Sequence, residues 1–283
     1  MWHNLAKLVK YRGLIQSLVA RELKARYRGS ALGIFWSFGN PLLLLLIYSA
    51  VFTYFVPAKD NTVQPYSLFL FCGLLPWTWF ASSLNESTGS LIAGGNLIKK
   101  VLFPAEVLPI VSVLANMIHF LLGLPILGLF LAYYAYVGVP PSVDGAPTIP
   151  GVSLHFAELV WLPVVILVQL ILTTGIALAL SALTVHFRDV RDILANLLTF
   201  WFFATPIIYP IGSVPESARV LKAALNLNPF THLAVSYQEI LFHPQNAFGH
   251  VYWLLALGGA SCVVFLAGYW LFDRLRDSFA EVV

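Results

Sequence analysis

Charge is what this sequence has least of: only 10% of its 283 residues are Asp, Glu, Lys or Arg, against 59% hydrophobic residues. A soluble globular chain carries roughly a quarter charged residues, and so few cannot cover a water-facing surface. Mean hydropathy is +0.81, which excludes a soluble domain and leaves an integral membrane protein. Cysteine is nearly absent too. Cys72 and Cys262 supply no disulfide framework and no CxxC metal centre, and both fall in apolar runs where a small thiol packs as a core residue. The chain has no GxxxxGK[ST] phosphate loop, no HExxH and no GxSxG, so the sequence signs no ATPase, metallopeptidase or hydrolase.

Six long runs take the place of the missing charge. Gly29 to Ala58, Asn61 to Asn85, Val107 to Val143, Leu159 to Phe187, Ile193 to Pro215 and Ile240 to Phe272 contain no Asp, Glu, Lys or Arg. Each accommodates about 20 helical residues, enough to cross a hydrocarbon core of roughly 30 Å. The expected fold is an all-α integral membrane protein with six transmembrane helices. Basic residues persist up to Arg28 and the run after them exceeds an h-region, so the first span is expected to stay in the membrane and not act as a signal peptide.

Orientation follows from the basic residues. Thirteen of the sixteen fall before the first span, in the second and fourth gaps or after the last span, leaving only Lys59, Arg219 and Lys222 elsewhere. Lys and Arg in short flanks are retained in the cytoplasm, which predicts a multi-pass protein of the cytoplasmic (inner) membrane with both termini cytoplasmic. The net charge of +3 is then a matter of topology and lipid headgroups, and nucleic acid is not an expected partner.

Residues 1–30 form the first unit. Ile15, Leu18, Val19 and Leu23 recur at helical spacing while Ser17, Arg21, Lys24 and Arg28 fall on another face, the pattern of an amphipathic helix lying in the headgroup layer. Residues 31–283 form the membrane domain. Asn40-Pro41 predicts a kink near the start of the first span, and the aromatics around Pro76 read as core. A cytoplasmic loop at 86–106 holds a short helix from Leu97 to Phe103, stopped by Pro104. A second cytoplasmic turn occupies 186–192. His119 is the one ionisable group expected at depth, neutral and hydrogen-bonded to a neighbouring helix. The outer region 212–250 predicts a short re-entrant helical hairpin: one arm from Pro215 to Leu225, the other opened by an Asn228 cap with Pro229 at the first helical position. Its second arm, of about thirteen residues, is too short to span.

Ion-coupled carriers need an ionisable relay at depth, and the carboxylates here cluster near span ends. Energy for transport against a gradient must then come from another protein. The stretch Leu18-Val19-Ala20-Arg21-Glu22-Leu23-Lys24-Ala25-Arg26-Tyr27-Arg28-Gly29-Ser30, running on to Phe35-Trp36, resembles the opening of ABC transporter permeases that export O-antigen, teichoic acid and capsular polysaccharide. Leu97-Ile98-Lys99-Lys100-Val101-Leu102-Phe103-Pro104, Phe187-Arg188-Asp189-Val190-Arg191-Asp192, Pro206-Ile207-Ile208-Tyr209-Pro210 and Leu227-Asn228-Pro229-Phe230 continue the resemblance in order, from about residue 14 to 275.

That resemblance implies two permeases, this chain as a homodimer, joined to two ATPase subunits. ATP and Mg would sit on the partner subunit, with no cofactor, no metal and no catalytic residue in this chain. It places Arg21, Glu22, Lys24, Arg26, Tyr27 and Arg28 on the interface helix near lipid headgroups. Leu97, Ile98, Lys99, Lys100, Val101 and Phe103 fall on an ATPase-coupling helix, and Arg188, Asp189, Arg191 and Asp192 on a second contact. The cargo would be a lipid-linked polysaccharide, with Phe35, Trp36, Trp201, Phe202, Phe203 and Tyr209 as candidate linings of its path, and Arg21, Arg26 and Arg28 near its anionic head. Aromatic belts at the interface explain the same residues singly. A capsule exporter, a drug or lipid exporter permease, and a channel or carrier independent of any ATPase are the alternative readings.

Overall fold

The computed structural model of the chain describes residues 10–51, 65–99, 103–138, 158–215, 217–242 and 248–279. Every regular element among them is a helix: α1 (Arg12–Arg26), α2 (Trp36–Ala50), α3 (Tyr66–Ala93), α4 (Gly95–Ile98), α5 (Val107–Val137), α6 (Leu162–His186), α7 (Val190–Phe203), α8 (Arg219–Leu227), α9 (Pro229–Leu241) and α10 (Val251–Leu275). A helix pairs its backbone groups internally, which hydrocarbon demands of any spanning segment. Among the described residues four helical stretches are long and apolar enough to cross a membrane, Tyr66–Ala93, Val107–Val137, Glu158–His186 and Val251–Ser278.

The remaining two expected spans are shorter in the described residues. α2 has 15 residues, with Pro41 inside it, and residues 52–58 of that run lie outside the described structure. α7 has 14, because the helix of the Ile193–Pro215 run stops at Phe203. Pro206 lacks a backbone donor and disfavours the helical conformation of the residue before it. The α3 helix runs past the expected end near Leu84 to Ala93, so the first part of the 86–106 loop is helical.

α3 is the spine of the bundle. Most of its first two-thirds is buried, including Leu68, Phe71, Trp77, Trp79 and Phe80, and it packs against α2, α5, α6, α7 and α9. Its aromatics are core, as their spacing implied: Trp79 stacks on Phe120 at 5.1 Å and donates from Nε1 to the Val113 carbonyl at 3.2 Å. Lipid tails are as apolar as leucine, so helices here associate by close packing and hydrogen bonds rather than by escape from water. Gln169 of α6 accordingly donates to the Pro76 carbonyl of α3 at 2.8 Å. The α6–α10 crossing is closer still, because a Cβ built on Gly268 would lie 2.0 Å from the Gly175 carbonyl oxygen. Cys72 is buried in this core, whereas Cys262 is exposed on the outer face of α10, which corrects the core placement expected for it.

α1 lies against the bundle. Leu18 and Val19 are buried with Val107, Val111 and Ala115 of α5, and Ile15 and Leu23 pack at the rim, so the expected apolar stripe is real and is covered by protein. Gly29 and Gly33 take positive φ values of 82° and 50°, a backbone that L side chains resist, and turn the chain from α1 into α2.

The 212–250 region contains α8 and α9. α9 begins as expected, with the Asn228 side chain accepting from the Phe230 amide at 3.0 Å and Pro229 in the first turn. Its burial is more complete than a one-sided apolar stripe implies, since Thr231, His232, Ser236 and Gln238 are buried beside Phe230, Leu233 and Tyr237. α8 starts at Arg219, later than expected. Beyond them His232 donates from Nε2 to the Asn226 carbonyl at 2.9 Å and accepts from His250 at 3.0 Å, while Trp253 stacks on His232 at 4.7 Å. The Glu239 carboxylate accepts from the Gly249 and His250 amides, each at 3.1 Å, capping α10.

Candidate functional site

Three regions carry polar chemistry that the packing of a membrane bundle does not require. The first is a cleft of about 350 Å³ between the end of α1, the start of α2, α3 and α5, lined by Arg26, Tyr27, Trp36, Ser37, Asn40, Thr78, Trp79, Ser82, Asn116 and His119 among others. Arg26 closes one side. Its guanidinium bonds to Glu86 of α3 and donates to Asn116 Oδ1 of α5 at 3.0 Å, with Glu22 one turn away at 3.7 Å. Asn116 donates to the same Glu86 oxygen at 2.7 Å, so three helices meet in one charge-assisted network. Tyr27 sits beside it, its hydroxyl 2.6 Å from Ser37 Oγ and 3.3 Å from His119 Nδ1. The expected partner of His119 is therefore Tyr27, at the end of α1.

The network alters the reading of the basic helix. Arg26 is committed to Glu86 and Asn116, whereas Arg21, Lys24 and Arg28 are exposed. Glu86 is helical and internal to α3, where the sequence placed it at a span end. No local signal marks this, because the partners that hold Glu86 are Arg26 and Asn116, sixty and thirty positions away.

The second region is the end of the bundle where the basic residues gather. α4 carries Leu97 and Ile98 half-buried and is followed by exposed Lys99. Phe103 is half-buried against Leu91, Leu108 and their neighbours. Lys100 and Val101 lie outside the described residues. Arg188, Asp189, Arg191 and Asp192 are all exposed, the first pair in the turn between α6 and α7 and the second in the first turn of α7. One apolar cluster of Leu91, Ala105, Leu178, Val185, Tyr269, Phe272 and Phe279 lies beneath both elements.

The third region is the break after α7. The carbonyls freed by Pro206 and Pro210 find side-chain donors: Asn228 Nδ2 to Ala204 at 3.0 Å, Gln238 Nε2 to Pro206 at 2.9 Å, and the Tyr66 hydroxyl to Ile208. Irregular backbone at membrane depth persists only where protein or a cavity supplies such partners. Trp201 donates from Nε1 to Asn228 at 2.7 Å and packs against Phe80 at 5.3 Å; Phe202 touches Trp77 at 5.7 Å. Phe35 and Phe203 are 72% and 63% exposed, Trp36 lines the cleft, and Tyr209 is half-buried. The structure thus brings Trp201 and Phe202 into one aromatic cluster and leaves Phe35 and Phe203 facing outward.

Comparison with known proteins adds the family. Residues 13–242 match the profile described as ABC-2 type transporter. The chain is 41% identical over 279 residues, 98% of both chains, to the O-antigen export system permease protein RfbA of Myxococcus xanthus. It is 32% identical over 273 residues, 95% of both, to the protein of the same name from Klebsiella pneumoniae. The polysialic acid transport protein KpsM of Escherichia coli is 24% identical over 225 residues, 80% of both. With four apolar helices of spanning length, a profile match over most of its length and relatives aligned nearly end to end, the chain belongs to the ABC-2 type transporter family of multi-pass membrane permeases.

Proposed function

We propose that the chain is the permease of an ATP-driven exporter that moves an O-antigen-type, lipid-linked polysaccharide across the inner membrane, as a homodimer with two ATPase subunits. The observation that carries this reading is the nearly end-to-end identity of 41% with a protein named as an O-antigen export permease. Capsular polysaccharide is the second cargo to test, on the strength of the more distant match to KpsM.

In this reading the bundle has six spans, α2 and α7 with its following break being the first and fifth, and both termini are cytoplasmic. α8 and α9 form the re-entrant pair. Their depth is supported by Phe230, which packs 4.8 Å from Trp77, eleven residues and so about 17 Å along α3 from Tyr66 at 1.5 Å per residue. The basic end faces the ATPases, with α4 (Gly95–Ile98) opening the expected coupling segment and Arg188–Asp192 as second contact. ATP and Mg act on the partner, whose rigid-body closure reaches the bundle through these short elements. Exposed Arg21 and Arg28 face the anionic head of the cargo. Phe35, Trp36, Phe203 and Tyr209 offer flat faces to sugar rings, while Trp201 and Phe202 anchor the lining from behind.

The test is affinity purification from the native membrane, with identification of whatever co-purifies and measurement of its ATP hydrolysis. A stoichiometric ATP-binding subunit stimulated by a lipid-linked O-antigen establishes the reading; stimulation by capsular polysaccharide alone moves the cargo to the second class. A homo-oligomer that transports with no nucleotide-binding partner overturns it.

A further inference from the structure

The segment that follows α10 touches both elements of the basic end. Arg276 Nη2 lies 3.4 Å from the Glu106 carboxylate, which is 2% exposed, lies at the start of α5 and has no hydrogen-bond partner for Oε2. Two residues on, the Ser278 hydroxyl is 3.0 Å from His186 Nε2, at the last residue of α6 before the Phe187–Asp192 turn. The other ring nitrogen, Nδ1, is 3.2 Å from the Ala182 carbonyl, and the Ser278 hydroxyl donates to the Leu275 carbonyl at 2.7 Å, so Ser278 joins the end of α10 to the end of α6. Phe279 is fully buried, 5.2 Å from Phe272 and 6.4 Å from His186.

We propose that Arg276, Ser278 and Phe279 form a strap that fixes Glu106 at the start of α5 and His186 at the end of α6 to each other and to α10, so that displacement of α4 or of the Phe187–Asp192 segment by an ATPase moves all three together. The proposal rests on the reading that these two elements dock the ATPase. The physical argument concerns what holds them otherwise. α4 is four residues long, too short to keep its own geometry, and Phe187–Asp192 is exposed at every position but Val190. A short element transmits force only if the long helices beside it are held, and Glu106 and His186 mark the adjoining ends of α5 and α6. Burial makes Glu106 dependent on its counter-charge, and Arg276 is the cation paired with it. Arg276, Ser278 and Phe279 are thus positioning residues, acting through Glu106 and His186 and not by contact with nucleotide or cargo.

The test uses the whole exporter, permease with its ATPase, and reads three quantities: ATPase bound per permease, ATP hydrolysed, and polysaccharide exported per ATP. Arg276→Ala and Phe279→Ala are expected to keep hydrolysis while lowering export per ATP by about fivefold. Arg276→Lys restores most of it, and the charge exchange Glu106→Arg with Arg276→Glu exports more per ATP than either single reversal. Ser278→Ala removes the contact with His186 and the local bond to the Leu275 carbonyl and gives a smaller loss in the same ratio, which keeps the test open if Arg276→Ala fails to accumulate. Unchanged export per ATP in Phe279→Ala and Ser278→Ala, with normal membrane levels, overturns the strap. Lys99→Glu with Arg188→Glu separates the two readings. If that pair leaves ATPase association intact the docking assignment fails, whereas loss of association alongside silent strap variants means the strap alone is wrong.

Discussion

Replacing Gly268 by alanine places a methyl carbon 2.0 Å from the Gly175 carbonyl oxygen, about 1.4 Å short of the roughly 3.4 Å at which ordinary contact begins. The obstacle is backbone on both sides, because a Cβ on Gly175 would in turn meet Phe265 Cα at 2.5 Å. No rotamer relieves the overlap, so α6 and α10 must separate. A gap of 0.5–1 Å already forfeits a quarter to a half of each dispersion contact, and overpacking of this kind costs about 3 kcal/mol. Alanine returns roughly 0.8 kcal/mol through its better helix propensity, leaving a net loss of about 2 kcal/mol. At 2–4 °C per kcal/mol the unfolding midpoint in detergent falls by roughly 4–8 °C. Gly259, nine residues earlier on the same helix, supplies the control. Nothing lies within 4 Å of its virtual Cβ, so Gly259→Ala makes the same chemical change and leaves the midpoint unchanged or higher. Tryptophan fluorescence during thermal unfolding, with size-exclusion of the heated samples, reads both variants. Equal midpoints for Gly268→Ala and the parent, or equal losses for the two alanines, refute the close-packing argument.

Arg26→Ala strips the counter-charge from Glu86 and one hydrogen bond from Asn116; Glu86 is 38% exposed, so screening limits the loss to about 1 kcal/mol, and Glu86→Gln costs less because an amide still accepts from Arg26. Limited proteolysis of α1 checks it, and equal cleavage in both variants sinks the network as the tie. Lys99→Glu with Lys100→Glu is expected to weaken ATPase association while leaving membrane insertion intact; unaltered co-purification and export contradict the coupling assignment. Trp201→Phe keeps the ring and loses the bond to Asn228, costing about 1 kcal/mol, whereas Asn228→Ala also uncaps α9 and frees the Ala204 carbonyl, costing about 2 kcal/mol; a larger melting shift for the tryptophan variant reverses the inferred order. Burial, reinforced by the neighbouring His232, lowers the pKa of His250 from 6.5 to about 4. The folded state favours its neutral ring, so this stability is present above about pH 6.5 and lost as pH falls through about 4. His250→Gln should flatten that part of the melting profile, and parallel profiles would show that the acid sensitivity arises elsewhere.

The fold was legible where composition and spacing act directly. Charge-free runs marked the four helices of spanning length among the described residues, Asn228-Pro229 marked the start of α9, and Ile15, Leu18, Val19 and Leu23 marked the buried side of α1. What escaped the sequence is what depends on a partner distant along the chain. Glu86 reads as a loop residue until Arg26, sixty positions away, neutralises it inside α3. Pro206 and Pro210 were visible, yet a continuous span was expected because nothing local shows that Asn228, Gln238 and Tyr66 will pair the freed carbonyls. Gly175 and Gly268 look like ordinary small residues until the helix crossing brings their backbones together. Among the candidate path residues, exposure separates Phe35 and Phe203 from Trp201, a distinction that residue type alone does not make.

The break after α7 and the depth of α9 explain each other. A helix that ends inside the bundle leaves carbonyls that lipid cannot satisfy, and a helix that begins beside that end leaves amides with the same need. Here one side chain serves both: Asn228 accepts from the Phe230 amide and the Trp201 indole through Oδ1, and donates through Nδ2 to the Ala204 carbonyl and to Thr205 Oγ1. Aspartate there keeps the caps and loses both donors, while leucine loses everything. An asparagine at this position therefore lets α7 end and α9 begin at one point, and the exposed aromatic face of α7 hangs from that point. A path built on Phe203 requires Asn228 as the residue that holds the break, and Asn228→Asp, which preserves shape but sets a carboxylate oxygen against the Ala204 carbonyl in place of the amide donor, is the substitution that separates holding the break from filling it.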